Sequence, residues 1–183
     1  MATQRQAPVV LTVGHSTRTL IAFVDLLKAN AVDRLIDVRT VPRSRHNPQF
    51  NTNTLPVALE IEGICYEHIP GLGGFRPTHP GSPNAGWRNR SFRGYADYMQ
   101  TRDFSIQLRA LIAVAHHDRV ALMCAEAVPW RCHRSLIADA LMVHGLRVEE
   151  IVGLSQRRAH VLTRFAKIEG TTITYPPETR SEE

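Results

Sequence analysis

Four short segments hold residue types that a packed core does not require: Gly14-His15-Ser16-Thr17-Arg18, Asp37 to Arg45, Gly71-Leu72-Gly73-Gly74, and Cys124 to Arg134. The last is the richest. Its final residues, Cys132-His133-Arg134, directly precede a helical pattern. The start of a helix carries partial positive charge and unpaired N–H groups, which favour an anion or a thiolate by about 0.3 to 1 kcal/mol at exposed sites. Cys132, flanked by His133 and Arg134, is therefore placed where a thiolate would be stabilised. Cys132 and Cys124 are candidates for covalent catalysis, although Cys124 also reads as a small buried hydrophobe at the end of an apolar strand. His15, Asp37, Glu126 and His133 are candidates for proton transfer.

Two familiar cysteine chemistries fit the spacing poorly. A cysteine phosphatase needs five residues between its nucleophile and its arginine, whereas Cys124 to Arg131 leaves six. A zinc site could draw on Cys124, Glu126, Cys132 and His133, but the cysteines lack the close spacing common in structural zinc sites. No metal ligands are assigned, and the sequence requires no cofactor. In the second segment Asp37 and Arg39, two apart in an extended stretch, point to the same side, so the acid can fix the guanidinium fork. The expected anion pocket joins Arg39, Arg45 and Arg134 with Ser16, Ser44 and the flexible backbone of Gly73 and Gly74.

These segments need a scaffold that brings them together. Val9 to Val13, Val32 to Val38, Ile64 to Ile69, Arg119 to Cys124 and Arg147 to Val152 read as strands, with a last short one at Thr171 to Tyr175. Helical patterns follow Ser16, cover Asn53 to Glu62, run from Tyr95 to His116 in two pieces broken around Thr101 to Phe104, and span Arg134 to His144. A further helix is expected over Ser155 to Ile168, and a long loop rich in Gly, Pro and Arg over residues 71–94. Alternating strands and helices imply a single three-layer α/β domain over residues 1–175, with a mostly parallel sheet covered on both faces. Right-handed crossovers then collect the strand ends on one edge, where ligands of such sheets bind. Strands ending near Val13, Val38 and Met123 should be parallel near neighbours. Residues 176–183 read as a disordered tail.

A domain of 183 residues can bury a self-sufficient core. Three cysteines without a secretory signal point to a reducing, cytoplasmic setting. No apolar run approaches the roughly 18 to 20 residues that cross a bilayer. Of 22 basic residues only Lys28 and Lys167 are lysine. Such a bias follows either from a GC-rich genome or from recognition of phosphate and carboxylate by guanidinium forks.

The four segments together resemble the bacterial and archaeal family catalogued as domain of unknown function 488. Gly14-His15-Ser16 is similar to its opening motif, and Asp37-Val38-Arg39 with Pro42, Ser44, Arg45 and Phe50 to its second. Tyr66, His68, Pro70 and Leu72-Gly73-Gly74 resemble the third, and Cys124, Glu126, Pro129 and Cys132-His133-Arg134 the fourth. Val128 and Glu150 stand where many relatives carry an acidic residue and a histidine. The resemblance implies a fold and a site without naming a reaction.

The first functional reading is an enzyme, a hydrolase or transferase, acting on an anionic small molecule such as a nucleotide or nucleic-acid fragment. A second is a nucleic-acid-binding module, in which Arg76, Arg88, Arg90 and Arg93 meet phosphates while Phe75, Trp87 and Phe92 stack on bases. A third is a thiol redox or metal-responsive protein, which needs Cys124 and Cys132 within bridging distance. Neither pattern nor charge fixes the oligomeric state, and no membrane partner is expected.

Overall fold

Val9–Gly14 is apolar, β-branched and almost wholly buried, and it forms β1 near the middle of a sheet. The computed structural model describes residues 7–177. After β1 come α1 (Leu20–Ala29), β2 (Arg34–Asp37), α2 (Leu55–Ile61), β3 (Cys65–His68), α3 (Arg90–Tyr98) and α4 (Arg102–Ala115). The chain continues through β4 (Val120–Cys124), α5 (Arg134–Val143), β5 (Arg147–Ile151), β6 (Arg157–Ala159), β7 (Lys167–Glu169) and β8 (Thr172–Thr174). Side-chain caps set several helix starts: Thr19 accepts from Ala22 N, Asn89 from Ser91 N and Phe92 N, and Thr101 from Phe104 N.

The main sheet has the order β3-β2-β4-β1-β5-β6, parallel from β3 to β5, with β6 antiparallel on the edge. Helices α1 and α2 bury Phe23, Leu27, Leu55 and Leu59 against one face. On the other face α3, α4 and α5 bury Tyr95, Leu108, Leu111, Leu136 and Ile137. The result is the three-layer α/β domain expected, and β1, β4 and β2 are parallel neighbours. Among the described residues no helix is long and apolar enough to cross a membrane.

Two local expectations are corrected. Residues 155–168 form no helix: Arg157–Ala159 pairs along β5, and Lys167–Glu169 turns at Gly170 (φ 61°) into the β7–β8 hairpin. Buried acids elsewhere capture this stretch. Asp139 on α5 accepts from His160 Nε2 at 2.8 Å, Thr163 N at 3.2 Å and Tyr175 Oη at 2.9 Å, and Arg158 pairs with Glu150 on β5. Satisfying a fully buried carboxylate outweighs the weak helix propensity of one segment.

The second correction concerns the loop over residues 71–94, whose last residues already belong to α3. Trp87 and Phe92 pack with ring centroids 4.8 Å apart and planes tilted by 40°, Phe165 and Tyr175 close around Trp87, and Gly86 N donates to Tyr175 O. Helix α5 is buried on more than its apolar side, since Arg134, Ser135 and Asp139 are buried as well. The expected disorder at 178–183 lies outside the described residues; Pro176 and Pro177 follow the fully buried Tyr175.

Candidate active site

Register decides what meets at the sheet edge. Gly14 lies opposite Cys124, and Asp37 opposite Met123. The ladder then runs on past the strands, with His15 N donating to Cys124 O, Ser16 N to Ala125 O and Val38 N to Met123 O, each at 3.0 Å. The loops after β1, β2 and β4 are thereby sewn together at their roots. They enclose a cleft of about 800 Å³, with His15, Ser16 and Ser44 on its wall, Gly74 on the far side, and Cys124, Glu126, Cys132 and His133 in its floor.

The floor is a thiol centre. Cys132 is buried, and its Sγ accepts from Arg134 Nε at 3.4 Å and lies 3.7 Å from His133 Nδ1. The sulfurs of Cys124 and Cys132 and a ring nitrogen of His133 all lie within 4.8 Å of one another. The two neighbouring thiols shift one another in opposite directions. Cys132 beside it and burial push Cys124 up. Cys132 is pulled down, chiefly by its neighbour Cys124, with Arg134 assisting against the effect of burial. The sequence spacing that spoke against metal ligands therefore misjudged distance: the turn at Pro129–Arg131 folds the 124–132 loop back on itself.

Asp37 and Arg39 form a buried, closed pair. The carboxylate accepts from Arg39 N at 3.0 Å, from its Nε at 2.9 Å and from Tyr66 Oη at 2.8 Å, with an ion pair to Nη2. Arg39 also reaches Phe50 O at 2.7 Å and His15 Nε2 at 3.3 Å. His15 stacks on Phe50 at 4.1 Å and donates from Nδ1 to Ser16 O at 2.8 Å. With Nδ1 protonated, Nε2 is left to accept from Arg39, so the ring is held neutral and oriented.

Burial pushes His15 down to about pKa 4, and the neighbouring Arg39 guanidinium adds to the shift against the Ser16 hydrogen bond. The folded state thus resists a proton that the unfolded chain accepts below about pH 6.5. Stability from this group is complete above that pH and is lost as pH falls towards about 4, by up to about 3 kcal/mol. Denaturant titrations across this window should show a falling unfolding free energy in the wild type and a flatter dependence in His15→Phe. Equal slopes would assign the acid limb to other groups.

Residues 19–141, about two thirds of the chain, match the family described as domain of unknown function DUF488. The chain belongs to that family. No curated protein and no solved structure matches it. The DUF488 match runs from the approach to α1 into α5 and includes the Asp37–Arg39 pair and all three members of the thiol centre. Gly14-His15-Ser16 lies just before it, joined by the hydrogen bonds to Cys124 and Ala125.

Within this DUF488 chain the expected anion-binding arginines fall elsewhere. Arg39 touches the cleft but is committed to Asp37, and Arg134 is buried, donating to Glu126 O at 2.6 Å. A buried guanidinium needs such partners. Arg45 is exposed and outside the cleft lining; Gly73 is buried and also outside it, its missing side chain making room for Thr40. Asp37 lies beneath the cleft wall and lines nothing. Glu126 lines the cleft, with its carboxylate accepting from Val128 N at 3.0 Å rather than from an arginine.

Besides Arg39, the cations on the cleft are Arg43 and Arg131, both exposed and without an ion pair among the described residues. Arg43 belongs to the Asp37 to Arg45 segment already expected to serve an anion pocket, whereas sequence reasoning passed over Arg131. Burial sets Arg39 and Arg134 apart from Arg43 and Arg131, and no local pattern reports it. The aromatic platform considered for base stacking is also not at hand. Phe92 is buried and Trp87 half-buried against the core, leaving Phe75 exposed, while Arg76 and Arg93 brace loop carbonyls at Gly71, Gly73 and Trp87.

Proposed function

We propose that this protein is an enzyme acting on an anionic, phosphate-containing small molecule held in the strand-end cleft. The observation that carries the reading is the meeting of two unlike parts in one cavity. Its floor holds the Cys124–Cys132–His133 centre beside Glu126, and its rim holds two cations, Arg43 and Arg131, free of internal acids among the described residues. Unpaired guanidiniums can form forked hydrogen bonds to a phosphate, and a cavity of several hundred Å³ suits a nucleotide-sized ligand. Glu126 is the group placed to exchange a proton with the bound molecule.

A ligand that binds only the folded state raises the unfolding free energy by RT ln(1 + [L]/Kd), about 2.7 kcal/mol at a hundred times Kd. Phosphate, sulfate and a panel of nucleoside mono-, di- and triphosphates should therefore protect the metal-free protein against thermal unfolding. Arg43→Ala and Arg131→Ala should each remove most of that protection, whereas Arg45→Ala should keep it. The dependence on salt should be shallow, as for one enclosed anion, in contrast to the steep loss when a polynucleotide is held by many phosphates. Chromogenic phosphate mono- and diesters offered to the protein test turnover, which should fall with Glu126→Gln. Absence of protection by every anion, or equal protection in the Arg131 and wild-type proteins, would defeat the reading.

A further inference from the structure

The geometry points to a zinc site formed by Cys124, Cys132 and His133, with a fourth coordination position open to the cleft. It rests on the reading of that cleft as an active site and names the cofactor, yet it can fail separately from it.

Proximity is the first ground. Tetrahedral zinc, with bonds of about 2.3 Å to sulfur and 2.0 to 2.1 Å to nitrogen, requires donor atoms about 3.5 to 4 Å apart. The three donor atoms are already within 4.8 Å of one another, and Cys132 Sγ and His133 Nδ1 stand at 3.7 Å.

The second ground is the orientation of His133. Its Nε2 lies 3.0 Å from Val38 O, an acceptor only, so Nε2 carries the proton and a neutral ring turns its Nδ1 lone pair towards the two sulfurs. A histidine ligand whose other nitrogen donates to a backbone carbonyl is the usual support for a metal. The ring is also locked from the side. A Cβ on Gly74 would stand 2.6 Å from Nδ1, so glycine there lets the backbone lie against the imidazole, and Tyr95 packs at 5.1 Å on the same ring.

Charge and softness complete the case. Two thiolates neutralise a divalent ion, and Arg134 Nε, 3.4 Å from Cys132 Sγ, offers the hydrogen bond that steadies a thiolate ligand. Two sulfurs and an imidazole suit zinc and are foreign to magnesium or calcium, which take oxygen. Three protein ligands with an open position are the arrangement of catalytic rather than structural zinc. Glu126, Arg43 and Arg131 line the same cleft as the three ligands, so an oxygen of water or of a bound phosphate can complete the shell.

The test uses reduced, chelator-treated full-length protein titrated with Co²⁺ as a spectroscopic stand-in for zinc. One equivalent should produce thiolate-to-cobalt charge-transfer absorption and the visible bands of tetrahedral cobalt, both reversed by an equivalent of Zn²⁺. Cys124→Ser, Cys132→Ser and His133→Gln should each lose or markedly weaken these bands, while Cys65→Ser keeps them. Because a variant can fail to fold, the wild type supplies a second readout. Zn²⁺ should shield Cys124 and Cys132 from alkylation while Cys65 stays reactive, and a chelator should restore labelling, as followed by mass spectrometry. Cobalt bands that depend on Cys65, or alkylation of Cys124 and Cys132 that is unchanged by Zn²⁺, would overturn the site. In that event anion protection lost in Arg43→Ala and Arg131→Ala would leave the reading of the cleft standing without the metal.

Discussion

Asp37→Asn should lower the unfolding free energy by about 3 to 5 kcal/mol, the usual cost of breaking a buried ion pair from one side. The size follows from the donors that converge on this carboxylate: Arg39 N, Nε and Nη2 together with Tyr66 Oη, all around a side chain with no exposure. Asparagine has nearly the same shape. Its amide nitrogen, however, would face a donor wherever it is turned, and Arg39 would keep a buried charge with no opposite partner. Because Arg39 also holds Phe50 O and His15 Nε2, the loop between β2 and α2 and the cleft wall should loosen together. Denaturant unfolding measures the loss. The double substitution Asp37→Leu with Arg39→Met should recover a substantial part of it by removing both charges. A loss under about 1 kcal/mol, typical of an exposed pair, would mean that water reaches the carboxylate.

That pair also marks how far the sequence could be read. Two residues apart in an extended stretch, Asp37 and Arg39 have to share a side, so their contact follows from strand geometry alone. The convergence of His15, Asp37 and Cys124 was legible for a similar reason: parallel strands joined by right-handed crossovers deliver their ends to one edge. Facts that depend on distant partners were not. Nothing local to residues 155–168 tells of Asp139, which takes His160, Thr163 and Tyr175 as partners and breaks the helical pattern. Nor does spacing reveal that Arg134 is buried while Arg131, three residues earlier, is exposed. Cys124 and Cys132 carry the same lesson, since seven residues separate them in sequence and a turn brings their sulfurs together. Hydrophobic period reports a backbone's conformation, whereas a site is assembled by the way loops fold back after the strands end.

Gly14→Ala should be at least as damaging as the loss of Asp37, and its effect should reach the site directly. A Cβ at Gly14 would overlap the carbonyl oxygen of Glu126 and lie 2.7 Å from both Glu126 C and Ala127 Cα. All three are backbone atoms, so no side chain can swing aside. Overpacking of this kind costs about 1 to 3 kcal/mol where neighbours can shift, and more where they cannot. Here the neighbours are held on both sides. Ser16 N bonds Ala125 O, Arg18 Nη1 reaches back to Gly14 O at 2.6 Å, and Arg134 Nη2 grips Glu126 O. Relief must therefore come from moving the 124–128 loop away from β1, which carries Glu126 out of place and pulls Arg134 from Cys132. The expected result is a loss of about 3 kcal/mol or more in stability, together with loss of anion protection under conditions where the variant is still folded. Circular dichroism at low temperature establishes the fold, and thermal unfolding with and without phosphate reads both effects. A Gly14→Ala protein with wild-type stability would show that the loop after β4 is free to withdraw, and that its close packing on β1 does not position the site.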